Sequence, residues 1–134
     1  MTQTALPDFM VIDDDPVNNK ICSIIINKQF PGKQIDSFTD PEAGLAFITS
    51  KYAATDTNNV ILLLDINMPV LTGWDVLDRF GKMDDSIRDR FKIFILSSSV
   101  DHYDKQKAKN NKLVSGYIEK PLTIAAIQSF FVQS

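Results

Sequence analysis

Four apolar runs in this chain each stop abruptly at a polar residue, and that repetition restricts the fold more than any other feature. The runs lie in the segments FMVIDDDP, VILLLDINMP, FKIFILSSSV and SGYIEKP, and the polar residues at their ends include Asp14, Asp65, Ser97 and Lys120. A short unbroken apolar run is the pattern of a strand buried on both faces. Segments with helical periodicity separate the runs, so strands and helices alternate. Such alternation builds a parallel sheet with right-handed crossovers and helices on both faces. All strands then end at the same edge, and the four polar residues converge on the crevice where open α/β sheets bind ligands.

The strands are expected at residues 9–12, 34–38, 60–64 and 91–96, with a short fifth around Tyr117-Ile118. Asp15-Pro16 opens the first helix, Asp15 as its cap, since proline suits a first turn. Val17, Ile21, Ile24 and Ile25 recur at helical spacing and predict its buried face. Pro31-Gly32 ends that segment, and Asp40-Pro41 opens a second helix with Leu45, Ile48 and Tyr52 inward. Residues 53–59 and 67–73 read as loops, 74–80 as a helix, and 101–110 as a polar, exposed helix. Thr123 caps a last helix whose Ile124, Ile127 and Phe131 share a face. Five strands and five helices therefore fill one α/β domain over residues 1–134, with a core of about 8–132 and no appended output domain.

Charge narrows the function. Fourteen basic against 17 acidic residues give a net charge of −3, and no basic run marks a nucleic-acid surface. No apolar stretch approaches the ~18–20 residues of a membrane span, and the start MTQTALPDF lacks the pattern of a signal peptide. The single cysteine, Cys22, excludes an internal disulfide. A cytoplasmic protein without membrane insertion is expected.

Adjacent first and third strands would crowd Asp13, Asp14 and Asp65. Carboxylates a few ångströms apart raise one another's pKa, and a bound Mg²⁺ (or Mn²⁺) relieves the repulsion. Asp14 and Asp65 are the expected direct ligands, Asp13 acts through water, and the backbone carbonyl of Asn67 offers a further oxygen. Asp65 is also the candidate nucleophile toward a phosphoryl group, giving an acyl phosphate. The ammonium of Lys120 and the hydroxyl of Ser97 would neutralise phosphoryl oxygens, and the small Ser98 lets its backbone N–H approach.

Taken in order, VIDDDP, LLLDINMP with Gly73 beyond it, ILSSS and GYIEKP make the chain resemble a response-regulator receiver domain over nearly its whole length. The resemblance implies the flavodoxin-like (βα)5 fold with strand order 2-1-3-4-5, for which a receiver is itself a standing example. It implies Asp65 as phosphoacceptor, Asp13 and Asp14 as the acidic pair that organises Mg²⁺, and Lys120 as the phosphoryl contact before a cis peptide to Pro121. It also implies Ser97 and Tyr117 as the switch pair, the ring turning inward after phosphorylation. Ser97 replaces the commoner Thr and Ser98 a frequent Ala, without loss of a needed group. The implied partners are a histidine kinase or phosphotransfer protein upstream and a protein target downstream. Asn67 and Ser99 flank the site and are expected to tune hydrolysis of the acyl phosphate.

Three other readings compete. A scaffold on the same fold would need no phosphorylation, and complete site residues argue against it. An aspartyl phosphohydrolase would need a second carboxylate where Asn67 stands. A phosphorelay shuttle has the same residues as a terminal switch. A monomer and a phosphorylation-dependent dimer are both compatible with the sequence. Cys22 reads as a core-edge residue, His102 as a surface residue without special role, and Trp74 as packing at the start of the third helix.

Overall fold

The computed structural model describes residues 7–33, 35–52, 59–98 and 101–131. Five parallel strands, β1 (Asp8–Ile12), β2 (Ile35–Phe38), β3 (Val60–Asp65), β4 (Phe91–Ser97) and β5 (Val114–Glu119), form one sheet in the order β2-β1-β3-β4-β5. The helices are α1 (Pro16–Gln29), α2 (Pro41–Lys51), α3 (Gly73–Phe80), α4 (Asp85–Arg88), α5 (His102–Lys109) and α6 (Ile124–Phe131). This is the expected flavodoxin-like architecture, with order 2-1-3-4-5 as the resemblance implies.

β3 shows why the apolar runs are continuous. All six of its residues are buried, and successive side chains enter opposite layers. Val60, Leu62 and Leu64 join Leu45, Ile48, Val76, Leu77 and Phe80 from α2 and α3. Ile61 and Leu63 join Cys22 and Ile26 of α1 and Ile127 of α6. Each fully buried leucine contributes about 1.5–3 kcal/mol, so both layers hold the central strand.

Register then sets the crevice. Ile12 lies opposite Leu64, so Asp13 falls level with Asp65. Asp65 lies opposite Leu96 and Ser97 opposite Glu119, so Ser97 and Lys120 each stand one residue further along. Gly73 brings α3 against this edge. A Cβ there would lie 2.5 Å from the Asp65 carbonyl oxygen, while its N–H reaches the Ile66 carbonyl at 3.2 Å. Gly32, at φ +83°, makes the left-handed turn after α1.

Caps fall as expected. Asp15 accepts from the Val17 N–H, Asp40 from the Glu42 N–H and Thr123 from the Ala126 N–H. Leu45, Ile48 and Tyr52 are buried. The helix at 102–109 is polar, with only Ala108 buried.

Five expectations need correction. The inner face of α1 is Asn18, Asn19, Cys22 and Ile26, whereas Val17 is 65% and Ile24 47% exposed. Cys22 is fully buried rather than at the core edge. A sixth helix, α4, is a single turn holding one buried side chain, Ile87, too short to carry a periodic signal. β5 is six residues long, masked in sequence by Ser115 and Gly116 and by a register irregularity against β4. On α6, Ile127 is buried but Ile124 is 36% exposed. Gln34, residues 53–58, Ser99 and the side chain of Phe131 lie outside the described residues.

Candidate metal and phosphoryl centre

Asp13 is completely buried directly after β1. A buried carboxylate needs donors on both oxygens. The Asp15 N–H donates to Oδ1 at 2.9 Å. Oδ2 accepts from Asn18 Nδ2 at 2.7 Å and from the Lys120 ammonium at 2.8 Å. Asn19 Nδ2 reaches the Asp13 backbone carbonyl at 3.0 Å. Asp14 projects outward and is exposed. Asp13, Asp14 and Asp65 each bring one carboxylate oxygen within 4.8 Å of the others.

Asp65 is 3% exposed. Its Oδ1 accepts from the Asn67 N–H at 3.1 Å, and its Oδ2 lies 3.7 Å from Lys120 Nζ. Its pKa is pushed up to about 6, first by burial and then by the Asp13 charge, against the Asn67 N–H and the Lys120 charge, which lower it. For Lys120, burial alone would lower the pKa. The hydrogen bond to Asp13 and the charges of Asp65, Asp13 and Asp15 together outweigh it, and the net shift is upward.

Ser97 is completely buried at the end of β4. Its Oγ accepts from Asn67 Nδ2 at 3.3 Å, and its carbonyl accepts the Lys120 N–H at 2.9 Å. Asn67 thus bridges Asp65 and Ser97. The Lys120-Pro121 peptide is cis. Ser98 is exposed beside Ser97, and Tyr117 is half-buried, 5.9 Å from Lys105 Nζ. Cys22 lies near Asp13, its thiol pushed up to about 12 chiefly by burial and then by the Asp13 charge, so it is an inert packing group. Trp74 packs at the start of α3 with Lys107 Nζ 4.8 Å from its ring centre, and His102 is exposed.

The structure therefore brings Asp13, Asp14, Asp65, Asn67, Ser97 and Lys120 together, and leaves Tyr117 on the neighbouring strand. Three carboxylates against one ammonium, with Asp65 pushed upward, fit a hard divalent cation with oxygen ligands. Asn18 and Asn19 were not foreseen. The signal available for them was the four-residue spacing of Asn18, Cys22 and Ile26, which marks the true inner face.

A sequence model described as the response regulator receiver domain matches residues 9–131. The chain belongs to that family. A two component response regulator from Cytophaga hutchinsonii is similar at 30% identity and a TM-score of 0.86, over 96% of each chain. A response regulator receiver protein from Dyadobacter fermentans shares the fold at 22% identity and TM-score 0.79, over 92% of this chain and 97% of that one. A two-component response regulator from Legionella pneumophila does so at 22% identity and TM-score 0.76, over 94% and 95%. No curated protein matches the chain significantly. Receiver domains are signalling domains that bind Mg²⁺ at an acidic pocket of this kind. No described helix is long and apolar enough to cross a membrane.

Proposed function

We propose that the chain is a stand-alone response regulator that accepts a phosphoryl group on Asp65 and signals through a change of shape. The observation that carries this reading is the meeting of Asp13, Asp14 and Asp65 within 4.8 Å, with Lys120 Nζ 3.7 Å from Asp65 Oδ2. Asp13, Asp14, Asp65 and the Asn67 carbonyl are the proposed metal site, Asp14 and Asp65 direct and Asp13 through water. Bound there, Mg²⁺ supplies positive charge against the transferring phosphoryl oxygens.

The ionised Asp65 attacks phosphorus. A P–O bond forms as the donor's P–N bond breaks, and the electron pair leaves with the imidazole nitrogen of a histidine kinase or phosphotransfer protein. The Asn67 N–H holds Oδ1 and orients the carboxylate. Lys120 and Ser97 take phosphoryl oxygens, and Ser97 thereby vacates space toward Tyr117. The ring turns inward, and the surface of α5, β5 and α6 changes for a downstream protein. Chemistry is confined to the protein's own phosphorylation and dephosphorylation, in the cytoplasm, with a dimer formed through the same face as a compatible outcome.

The test is intact mass after incubation with acetyl phosphate, with and without Mg²⁺, beside Asp65→Asn. One added phosphoryl, dependent on Mg²⁺ and absent from the variant, is expected. No gain under any condition favours a phosphorylation-independent scaffold.

A further inference from the structure

Asp13 carries a donor that the phosphoryl chemistry does not by itself require. Lys120 Nζ stands 2.8 Å from Asp13 Oδ2 but 3.7 Å from Asp65 Oδ2, so at rest the ammonium belongs to Asp13. To close on a phosphoryl group on Asp65 it must shift from its 2.8 Å contact with Asp13 toward Asp65. A fully buried carboxylate whose close ammonium is drawn away is destabilised unless other donors stay behind.

Two donors do stay. The Asp15 N–H remains on Oδ1, and Asn18 Nδ2, at 2.7 Å, remains on Oδ2, the oxygen that Lys120 vacates. The Asn18 amide has a fixed direction. Its NH₂ also faces Cys22 Sγ at 3.7 Å, and the residue is 6% exposed in the first turn of α1. Its two donor hydrogens are thereby used. An apolar residue at this position would leave Oδ2 bare when the lysine moves, and a cation would compete with the lysine it serves.

We infer that Asn18 is a positioning residue that lets Lys120 pass from Asp13 to the phosphoryl group on Asp65. The role rests on the phosphoacceptor reading above, and it couples Asn18 and Lys120 energetically through the Asp13 oxygen they share.

The experiment is a double-mutant cycle. Rates of acetyl phosphate labelling at saturating Mg²⁺ are compared for the wild type, Asn18→Leu, Lys120→Met and the double variant. Mg²⁺ dissociation constants of the unphosphorylated proteins are measured alongside. Asn18→Leu is expected to slow labelling by about 10-fold or more, the scale of lost outer-shell partners, and to change the Mg²⁺ dissociation constant much less. In the Lys120→Met background the same substitution is expected to change the rate by no more than about twofold, the limit of additivity. Equal slowing in both backgrounds, or a Mg²⁺ constant weakened as much as the rate, would mean that Asn18 merely supports local structure, and would overturn the inference. So would an unchanged rate in Asn18→Leu. If the leucine variant does not fold, Asn18→Ala provides the same contrast. A wild type that never labels would instead overturn the phosphoacceptor reading, and the role of Asn18 with it.

Discussion

The two edges of the sheet handle buried charge in opposite ways. At the amino edge, Asp8 opens β1 with Lys33 at 3.4 Å and the Tyr52 hydroxyl donating at 3.1 Å. Arg90, just before β4, donates to the carbonyls of Ser86 and Tyr52. Asp8 and Lys33 pair with each other, Arg90 has two carbonyl acceptors, and each of the three residues is only partly buried. At the carboxyl edge, three carboxylates meet with one close ammonium, and Asp13 and Asp65 are almost fully buried. The first edge is arranged for stability. The second keeps an excess of negative charge that only a bound cation or a chemical change relieves.

Replacing a lysine by methionine at each edge sharpens that contrast. Lys120→Met should give the largest loss, about 3 kcal/mol in metal-free buffer, because it strips the charged partner from a fully buried carboxylate. The pKa of Lys120 is raised above its ordinary 10.5, so its contribution is complete across neutral pH and fades only in strong alkali. Denaturant unfolding at pH 7 checks the loss, and a value below 1 kcal/mol would break the distinction between the edges.

Asp65→Asn should act with the opposite sign. The pKa of Asp65 in the folded protein, about 6, lies above its ordinary 3.8, so ionisation works against folding. That cost is complete above the folded pKa and vanishes below the ordinary one. Asparagine removes the charge and keeps an oxygen for the Asn67 N–H. The metal-free variant should therefore exceed the wild type by about 2–3 kcal/mol at pH 7 to 8, with the gain shrinking as pH falls through 6 toward 4. Thermal melts across that range test it. A gain independent of pH would assign the effect to packing and not to charge.

Sequence made the carboxyl edge legible because each of its groups follows an apolar strand, and strand ends in a parallel sheet share one edge. Asp65, Ser97 and Lys120 could be placed together without knowing a single distance. The α1 face was misread for a related reason. Apolar periodicity assumes that buried positions are apolar, yet Asn18 and Asn19 are buried because Asp13 needs donors. Val17 and Ile24, the residues that periodicity favoured, stand exposed instead. The single-turn α4 and the full length of β5 were hidden by scale and composition. One buried Ile87 makes no period, and Ser115-Gly116 interrupts the apolar run that would have announced six strand residues.

Lys33→Met should have the smallest effect, and its smallness is informative. Lys33 and Asp8 are separated by 3.4 Å, with side chains 22% and 18% exposed, so water still screens the pair. Partly exposed pairs of this kind contribute about 0–1 kcal/mol. Asp8 also retains the Tyr52 hydroxyl when the lysine is lost, so its carboxylate keeps a close donor. The expected loss in denaturant unfolding is below about 1 kcal/mol and falls further as salt rises above ~0.1 M, where the Debye length is about 10 Å. Phosphoryl labelling should be unchanged, since Lys33 follows α1 at the opposite end of the sheet from Asp65. A loss as large as that of Lys120→Met would mean that charge is as tightly constrained at the amino edge as at the carboxyl edge. A labelling defect without a stability loss would mean that the two edges communicate through β1, the strand that carries Asp8 at one end and leads into Asp13 at the other.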